Sequence, residues 1–238
     1  MTYTQVMNID VINLMKVSLR PVRAIIVSLR IAIRFFSLGY ARVSEIQVWI
    51  TKNYEVPVPQ ILKWSVLKRW GGAGTWVETG TYMGETTKML STIATFVYSI
   101  EPMQTLAQNA TKRFHATRNI AIIEGRSEIE TPRLLESLNE REREDISFWL
   151  DGHFSSGITY MGVQETPIVE ELTAIALNLS RFKSVTVLVD DVRCFNSKLS
   201  DLNGYPDVSF LSSWAEENGL AWTIEYDIFI ATKNRIAN

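Results

Sequence analysis

Three aspartates stand where short apolar runs end. Asp151 follows Ile146–Leu150, and Asp190 and Asp191 follow Val185–Val189. If those runs are neighbouring strands, the carboxylates meet at one sheet edge and repel one another. A hard divalent cation with oxygen ligands relieves such repulsion, and magnesium is the usual candidate. A cation held there can bind an acceptor hydroxyl and lower its pKa, giving an oxyanion near neutral pH. His153, just past Asp151, is one of two histidines in the chain. Its imidazole titrates near neutrality and can take an acceptor proton. Asp151 and His153 are thus the candidate catalytic residues, and Asp151, Asp190 and Asp191 the candidate metal ligands. Blander roles stay open. An aspartate at a strand end also caps the following turn, and His153 could be a loop histidine bonded to backbone. The other histidine, His115, reads as a surface residue.

A second group of residues suits a nucleoside-bearing cofactor. The run Glu78-Thr79-Gly80-Thr81-Tyr82-Met83-Gly84 places two glycines around a strand-to-helix turn. Gly80 lets a ligand approach the backbone, and Gly84 lets a helix start close to the strand. Glu101 follows Gly80 by 21 residues, one strand–helix unit. An acid at the tip of the second strand can accept hydrogen bonds from both ribose hydroxyls. Glu124-Gly125-Arg126-Ser127 ends the third apolar run, where an adenine ring could lie. The glycine spacing is not that of a dinucleotide fingerprint, and no Gly-Lys-Ser/Thr follows as in a Walker loop. The candidate cofactor contacts are Glu78, Gly80, Thr81, Tyr82, Gly84, Glu101, Gly125, Arg126, Ser127 and Asp151.

The elements that must position these groups follow from periodicity. Strands are expected at Thr75–Glu78, Phe96–Ile100, Ile120–Ile123, Ile146–Leu150 and Val185–Val189. Helices are expected at Glu85–Ala94, Met103–Ala116, Glu128–Glu140 and Thr166–Leu179. This alternation implies βαβ units and a parallel sheet. A helix at Val208–Asn218 precedes two closing strands, Trp222–Tyr226 and Ile228–Thr232. Their link is too short for a parallel crossover, so they pair antiparallel. The expected fold is a doubly wound, Rossmann-like α/β sheet of seven strands. It is mostly parallel with one antiparallel strand, carries helices on both faces and has an N-terminal helical extension. Gly71-Gly72-Ala73-Gly74 reads as flexible punctuation. It divides an extension, residues 1–70, from a catalytic domain, residues 71–238.

These motifs, in order, resemble class I S-adenosylmethionine-dependent methyltransferases. Glu78 to Gly84 resembles the first motif of catechol O-methyltransferase-like enzymes, and Ile100-Glu101-Pro102 resembles their ribose-binding acid. Trp149-Leu150-Asp151-Gly152-His153 resembles the end of their fourth strand, and Val189-Asp190-Asp191 the end of their fifth. The pattern is also similar to macrocin-type sugar O-methyltransferases. It covers roughly residues 75–195. The resemblance implies S-adenosylmethionine as donor, a divalent metal (usually Mg2+), and a hydroxyl acceptor on a sugar or small polar metabolite. Relatives often have lysine or aspartate as base near His153, so a histidine there departs from the pattern. Two other readings compete: a metal-independent methyltransferase of the same fold, and a non-catalytic cofactor-binding scaffold at a membrane surface.

Composition narrows the class further. The chain has 238 residues, 46% of them hydrophobic, which suits a packed α/β domain with an added segment. A formal charge of −2 argues against binding nucleic acid by bulk charge. The single cysteine, Cys194, excludes an intrachain disulfide and fits a reducing, cytoplasmic setting. Charge is uneven along the chain. Lys16, Arg20, Arg23, Arg30, Arg34 and Arg42 face only Asp10 and Glu45 within residues 1–45, a net of +4 that leaves −6 for the rest. On a helix those six cations fall within an arc of about 120°. A basic amphipathic stretch over residues 11–44 suits peripheral contact with an anionic membrane, docking on a second subunit of a homo-oligomer, or an Arg-rich transit peptide. An ordinary core helix is the remaining reading.

Overall fold

The computed structural model describes residues 40–151, 166–195 and 205–234. The basic stretch before Tyr40 lies outside the described residues. The chain divides into two compact units, Met1–Ile61 and Leu62–Asn238. In the first, helix α1 (Tyr40–Thr51) buries Ile46 and Trp49, one turn apart on the same face. The Trp49 indole donates to the Glu55 carbonyl at 2.7 Å, and the Tyr54 ring meets the indole edge-on. Helix α2 (Gln60–Trp70) spans the boundary between the units. None of the helices among the described residues is long and apolar enough to cross a membrane.

The second unit is built on a seven-stranded sheet. Its strands are β1 (Thr75–Thr79), β2 (Phe96–Glu101), β3 (Ile120–Glu124), β4 (Asp145–Leu150), β5 (Ser184–Val189), β6 (Ala221–Glu225) and β7 (Ile228–Lys233). Their spatial order is β3-β2-β1-β4-β5-β7-β6. Strands β1 to β5 pair in parallel, and β7 lies antiparallel to both β5 and β6. The doubly wound layout, with one antiparallel strand, is the one expected.

Period-two alternation in the strands feeds two cores. Val77, Ile146, Phe148, Leu150, Val185, Val187 and Phe229 point to one face. There they meet α5 (Ser127–Ser137), α7 (Ile168–Asn178) and α8 (Val208–Glu217) through Leu134, Leu172 and Trp214. Trp76, Trp149, Leu188 and Ile230 point to the other face. They pack with Leu67 and Trp64 of α2 and with Met89 and Leu90 of α3 (Glu85–Leu90). Helix α4 (Gln104–Phe114) packs beside β2 and β3. Trp76 and Trp149 are fully buried, so neither is free to stack on an acceptor.

Four local readings change. The sheet unit starts at Leu62, ahead of the glycine run, because α2 supplies part of its core. The glycine run itself is packed: a Cβ on Gly71 would lie 1.9 Å from Trp76 Cζ2. The helix expected over Glu128–Glu140 is two helices. Helix α5 ends at Ser137, and Asn139 caps a short α6 (Glu140–Glu144). In that capping box the Glu142 N–H donates to Asn139 Oδ1 at 3.1 Å and the Asn139 N–H to Glu142 Oε2 at 2.9 Å. Helix α3 stops at Leu90, where the Ser91 and Thr92 hydroxyls turn back onto the carbonyls of Lys88 and Met89.

Candidate active site at the carboxyl edge of the sheet

The turn after β1 is pinned to the tip of β2. Gly80 (φ 87°) and Thr81 donate their N–H groups to the Ile100 carbonyl at 2.9 and 3.3 Å. Tyr82, itself left-handed at φ 47°, donates its N–H to Glu101 Oε2 at 2.8 Å. Glu101 Oε1 accepts from the Met103 N–H at 2.9 Å. Both carboxylate oxygens of this buried acid are thereby oriented, and each keeps further acceptor capacity. The side chains of Tyr82 and Met83 stand exposed above the turn, while Gly84 (φ 75°) opens α3.

Glu78 works beneath this turn rather than on its open side. It is buried, and its Oε2 accepts from Thr87 and Ser99 hydroxyls, both at 2.5 Å. Burial pushes its carboxyl up to about 8, against those two hydrogen bonds. Thr81 is likewise buried, with its hydroxyl 2.6 Å from that of Ser99. At the end of β3 the Gly125 N–H donates to the Glu101 carbonyl at 3.0 Å, which joins the second and third strand tips. Arg126 pairs with Glu128 (Nε to Oε1, 2.7 Å), and buried Ser127 starts α5. The cofactor candidates of the first three strands therefore share one edge.

Asp151, Asp190 and Asp191 also converge as expected, each offering a ligand atom within 4.8 Å of the others. Register explains this: β4 and β5 pair in parallel up to Leu150 and Val189, and the Asp190 N–H continues the ladder to the Leu150 carbonyl at 3.0 Å. The charge partner, however, belongs to the chain itself. The Lys63 ammonium donates to Asp190 Oδ2 and, at 3.1 Å, to Asp191 Oδ1. Arg193 Nη1 donates to Asp191 Oδ1 at 2.5 Å and also pairs with Asp227 in the β6–β7 turn. Burial alone would lower the Lys63 pKa. The charges of Asp190, Asp191 and Asp151 outweigh it, so the side chain is held firmly as a cation. Burial and the Asp151 charge push Asp190 upward, against the pull of Lys63. The donor set suits a hard divalent cation. The arrangement does not, because an ammonium bridges two of the three carboxylates.

Lys63 is the residue that sequence reasoning missed. Its signal was a charge inside an apolar helical run, Ile61-Leu62-Lys63-Trp64. Helix α2 fixes its position: Trp64 Nε1 donates to Thr86 Oγ1 at 3.2 Å, and Thr186 Oγ1 to the Trp70 carbonyl at 3.1 Å. Lys63 itself is only 8% exposed.

A second missed residue is Glu171, on the buried face of α7 with Ile168, Leu172 and Ile175. It lines a small, solvent-open cleft with room for about one water (≈10 Å³), together with Leu150, Asp151, Val189, Asp190 and Tyr205. Burial raises its carboxyl to about 7, against the pull of the nearby Ser127 and Thr79 hydroxyls. Burial also raises the Tyr205 hydroxyl. His153 and the loop that follows it lie outside the described residues. His115 is exposed, as expected, with Nδ1 2.9 Å from the Lys112 carbonyl.

A Staphylococcus aureus protein assigned as a caffeoyl-CoA O-methyltransferase superposes with a TM-score of 0.51 at 14% identity, covering 88% of this chain and all (100%) of that one. The fold is that of the class I methyltransferases. Two further structures match more loosely. A Streptococcus mutans protein assigned as a methyltransferase, in complex with S-adenosylhomocysteine, gives a TM-score of 0.44 at 14% identity, over 75% of this chain and 98% of that one. Aeropyrum pernix fibrillarin with bound S-adenosylmethionine gives 0.46 at 13%, over 71% and 73%. At these identities the likeness speaks to the fold alone. No protein-family model matches the sequence. No curated protein matches it either.

Proposed function

We propose that this chain is an S-adenosylmethionine-dependent methyltransferase acting on a hydroxyl of a sugar or other small polar metabolite. One observation carries the reading. Glu101, at the tip of β2, is bonded through Oε2 to the Tyr82 N–H of the glycine turn, beside Gly125 at the tip of β3. An acid so held can bind both hydroxyls of a ribose, with the methionine end toward Gly80 and the adenine toward Gly125, Arg126 and Ser127. Bound S-adenosylmethionine would supply an electrophilic methyl group on a sulfonium. The protein's part is chiefly orientation, because an in-line displacement is sensitive to the alignment of acceptor and methyl.

Asp151 stands between the cofactor turn and the cleft, its N–H bonded to the Thr79 carbonyl at 3.3 Å. It can orient either reactant. Glu171 and Tyr205 place polar groups in the small cleft beside it. A base for the acceptor proton is assigned to His153 on sequence grounds. Of the two versions of the reaction, the ion pairs of Lys63 favour the metal-independent one.

Calorimetric titration of S-adenosylhomocysteine into the full chain tests the reading. Micromolar binding that Glu101→Ala abolishes is the expected result. Absence of binding to the wild-type chain would sink it. Transfer of a labelled methyl group to a panel of sugars and phenols, with and without chelator, then tests the acceptor class.

A further inference from the structure

We propose that Lys63 is the built-in counter-ion of the strand-end carboxylates, occupying the place a divalent cation would take, so that the cluster excludes the metal while the ammonium is there. The inference deepens the methyltransferase reading and rests on it for its catalytic meaning. Its geometry stands independently.

Three carboxylates at one sheet edge require a positive partner. Asp190 and Asp191 are 4% and 3% exposed, so water cannot screen them, and their ligand atoms and that of Asp151 lie within 4.8 Å of one another. Buried charges so close need a cation with good hydrogen-bond geometry. Magnesium would meet the need from solvent with oxygen ligands. Lys63 meets it from α2. One ammonium donates to both Asp190 Oδ2 and Asp191 Oδ1. Arg193 takes a second bond to Asp191 Oδ1 and ties the cluster to Asp227.

A flexible surface lysine could swing aside for a metal. Lys63 is not placed for that. Its neighbours Leu62, Trp64, Val66 and Leu67 are all buried. The helix that carries it is bonded at Trp64 to Thr86 and at Trp70 to both Thr186 and Glu225. Displacing the ammonium would leave a buried cation unpaired or require α2 to shift against the core.

The lysine acts as a positioning residue. It fixes Asp190 and Asp191, and through them the rim of the cleft beside Asp151. An ammonium differs from a metal in one functional respect: it cannot coordinate an acceptor oxygen as an exchangeable Lewis acid, but presents a fixed positive field. Deprotonation of the acceptor then falls to protein groups around the cleft.

The test is cation binding to the full-length protein, read by Mn2+ electron paramagnetic resonance and by thermal shift. Wild type is expected to bind Mn2+ no more tightly than its Asp190→Asn variant, and its Tm should not respond to millimolar Mg2+. Lys63→Met keeps the length of the side chain and removes the charge. It should gain at least about tenfold in Mn2+ affinity over wild type. Its Tm should fall, and Mg2+ should restore it. Adding Asp190→Asn should abolish both effects. Lys63→Arg keeps the cation and should remain blind to Mn2+. Specific, Asp190-dependent binding of Mn2+ by wild type would overturn the proposal, as would a folded Lys63→Met that gains no affinity. If Lys63→Met does not fold, wild type and Lys63→Arg decide alone. S-Adenosylhomocysteine titration of the same samples separates failure of this inference from failure of the methyltransferase reading.

Discussion

The backbone N–H of Tyr82 donates to Oε2 of Glu101 at 2.8 Å, which locks the glycine turn of β1 to the tip of β2. The bond makes the acid a fixed acceptor, aimed before any ligand arrives. Replacing Glu101 by Gln keeps the shape but turns one acceptor into a donor. Charged hydrogen bonds are worth about 1.5–3 kcal/mol, so S-adenosylhomocysteine affinity should fall roughly 10- to 100-fold. Calorimetry of Glu101→Gln checks this. An unchanged Kd would remove Glu101 from the cofactor site.

Gly84 sits at φ 75°, and a Cβ there would lie 2.7 Å from Phe114 Cε2. Gly84→Ala combines left-handed strain with a clash and should destabilise the fold by about 1–3 kcal/mol. Gly219, at φ 66° with nothing within 4 Å of where a Cβ would stand, is the matched control for strain alone. Chemical denaturation should rank Gly84→Ala clearly below Gly219→Ala. Equal losses would mean that Phe114 yields without cost.

Buried Glu171 titrates near 7 in the fold and near 4.5 when exposed. The folded state therefore holds a proton that the unfolded state has lost between those values. Its contribution is fully present below pH 4.5 and declines as pH rises toward 7. The slope approaches about 1.4 kcal/mol per pH unit at most. Glu78, at about 8, acts in the same direction over a wider range. Glu171→Gln keeps the shape of the side chain, removes its titration and should flatten the decline between pH 5 and 7 (a window of roughly two units). Unfolding free energies of both proteins across that window decide it, and parallel curves would mean that Glu171 is ionised in the fold.

Trp149 is fully buried on β4, yet its indole Nε1 has no hydrogen-bond partner among the described residues. Trp149→Ala should lower stability by about 3–5 kcal/mol through the cavity it leaves. Trp149→Phe removes the unpaired N–H along with part of the ring, so its loss should be much smaller. Leu177→Ala, at a site 78% exposed, should change little. Thermal unfolding of the three variants gives the ranking.

Much of the architecture was legible because it rests on local pattern. Alternation in Ile146–Leu150 and Val185–Val189 announces buried strands, and parallel pairing then carries Asp151 and Asp190 to one edge. Glu101 was legible for the same reason, one strand–helix unit from Gly80. Lys63 was not. Its meaning depends on α2 lying across the sheet unit, and nothing in the spacing of Ile61, Leu62 and Trp64 says what the intervening charge will meet. Glu171 was hidden in the same way, an acid on an apolar helix face whose neighbours, Thr79 and Ser127, come from distant elements. The glycine run misled because glycine serves both mobility and close packing. Only the neighbouring Trp76 ring tells which applies at Gly71.

The bridge from Lys63 to Asp191 spans 128 positions of sequence, and Asp227, which holds Arg193 against the same cluster, is made later still. At ribosomal speeds of roughly 5–20 residues per second, the lysine waits on the order of ten seconds for its anions to emerge. Through that interval α2 carries a charge with no native partner, next to an apolar surface that has no sheet to cover. Nascent chains of this protein should accordingly lean on chaperones until the fifth strand is out, and synonymous changes that slow translation between α2 and β5 should raise aggregation without altering a single residue of the finished chain.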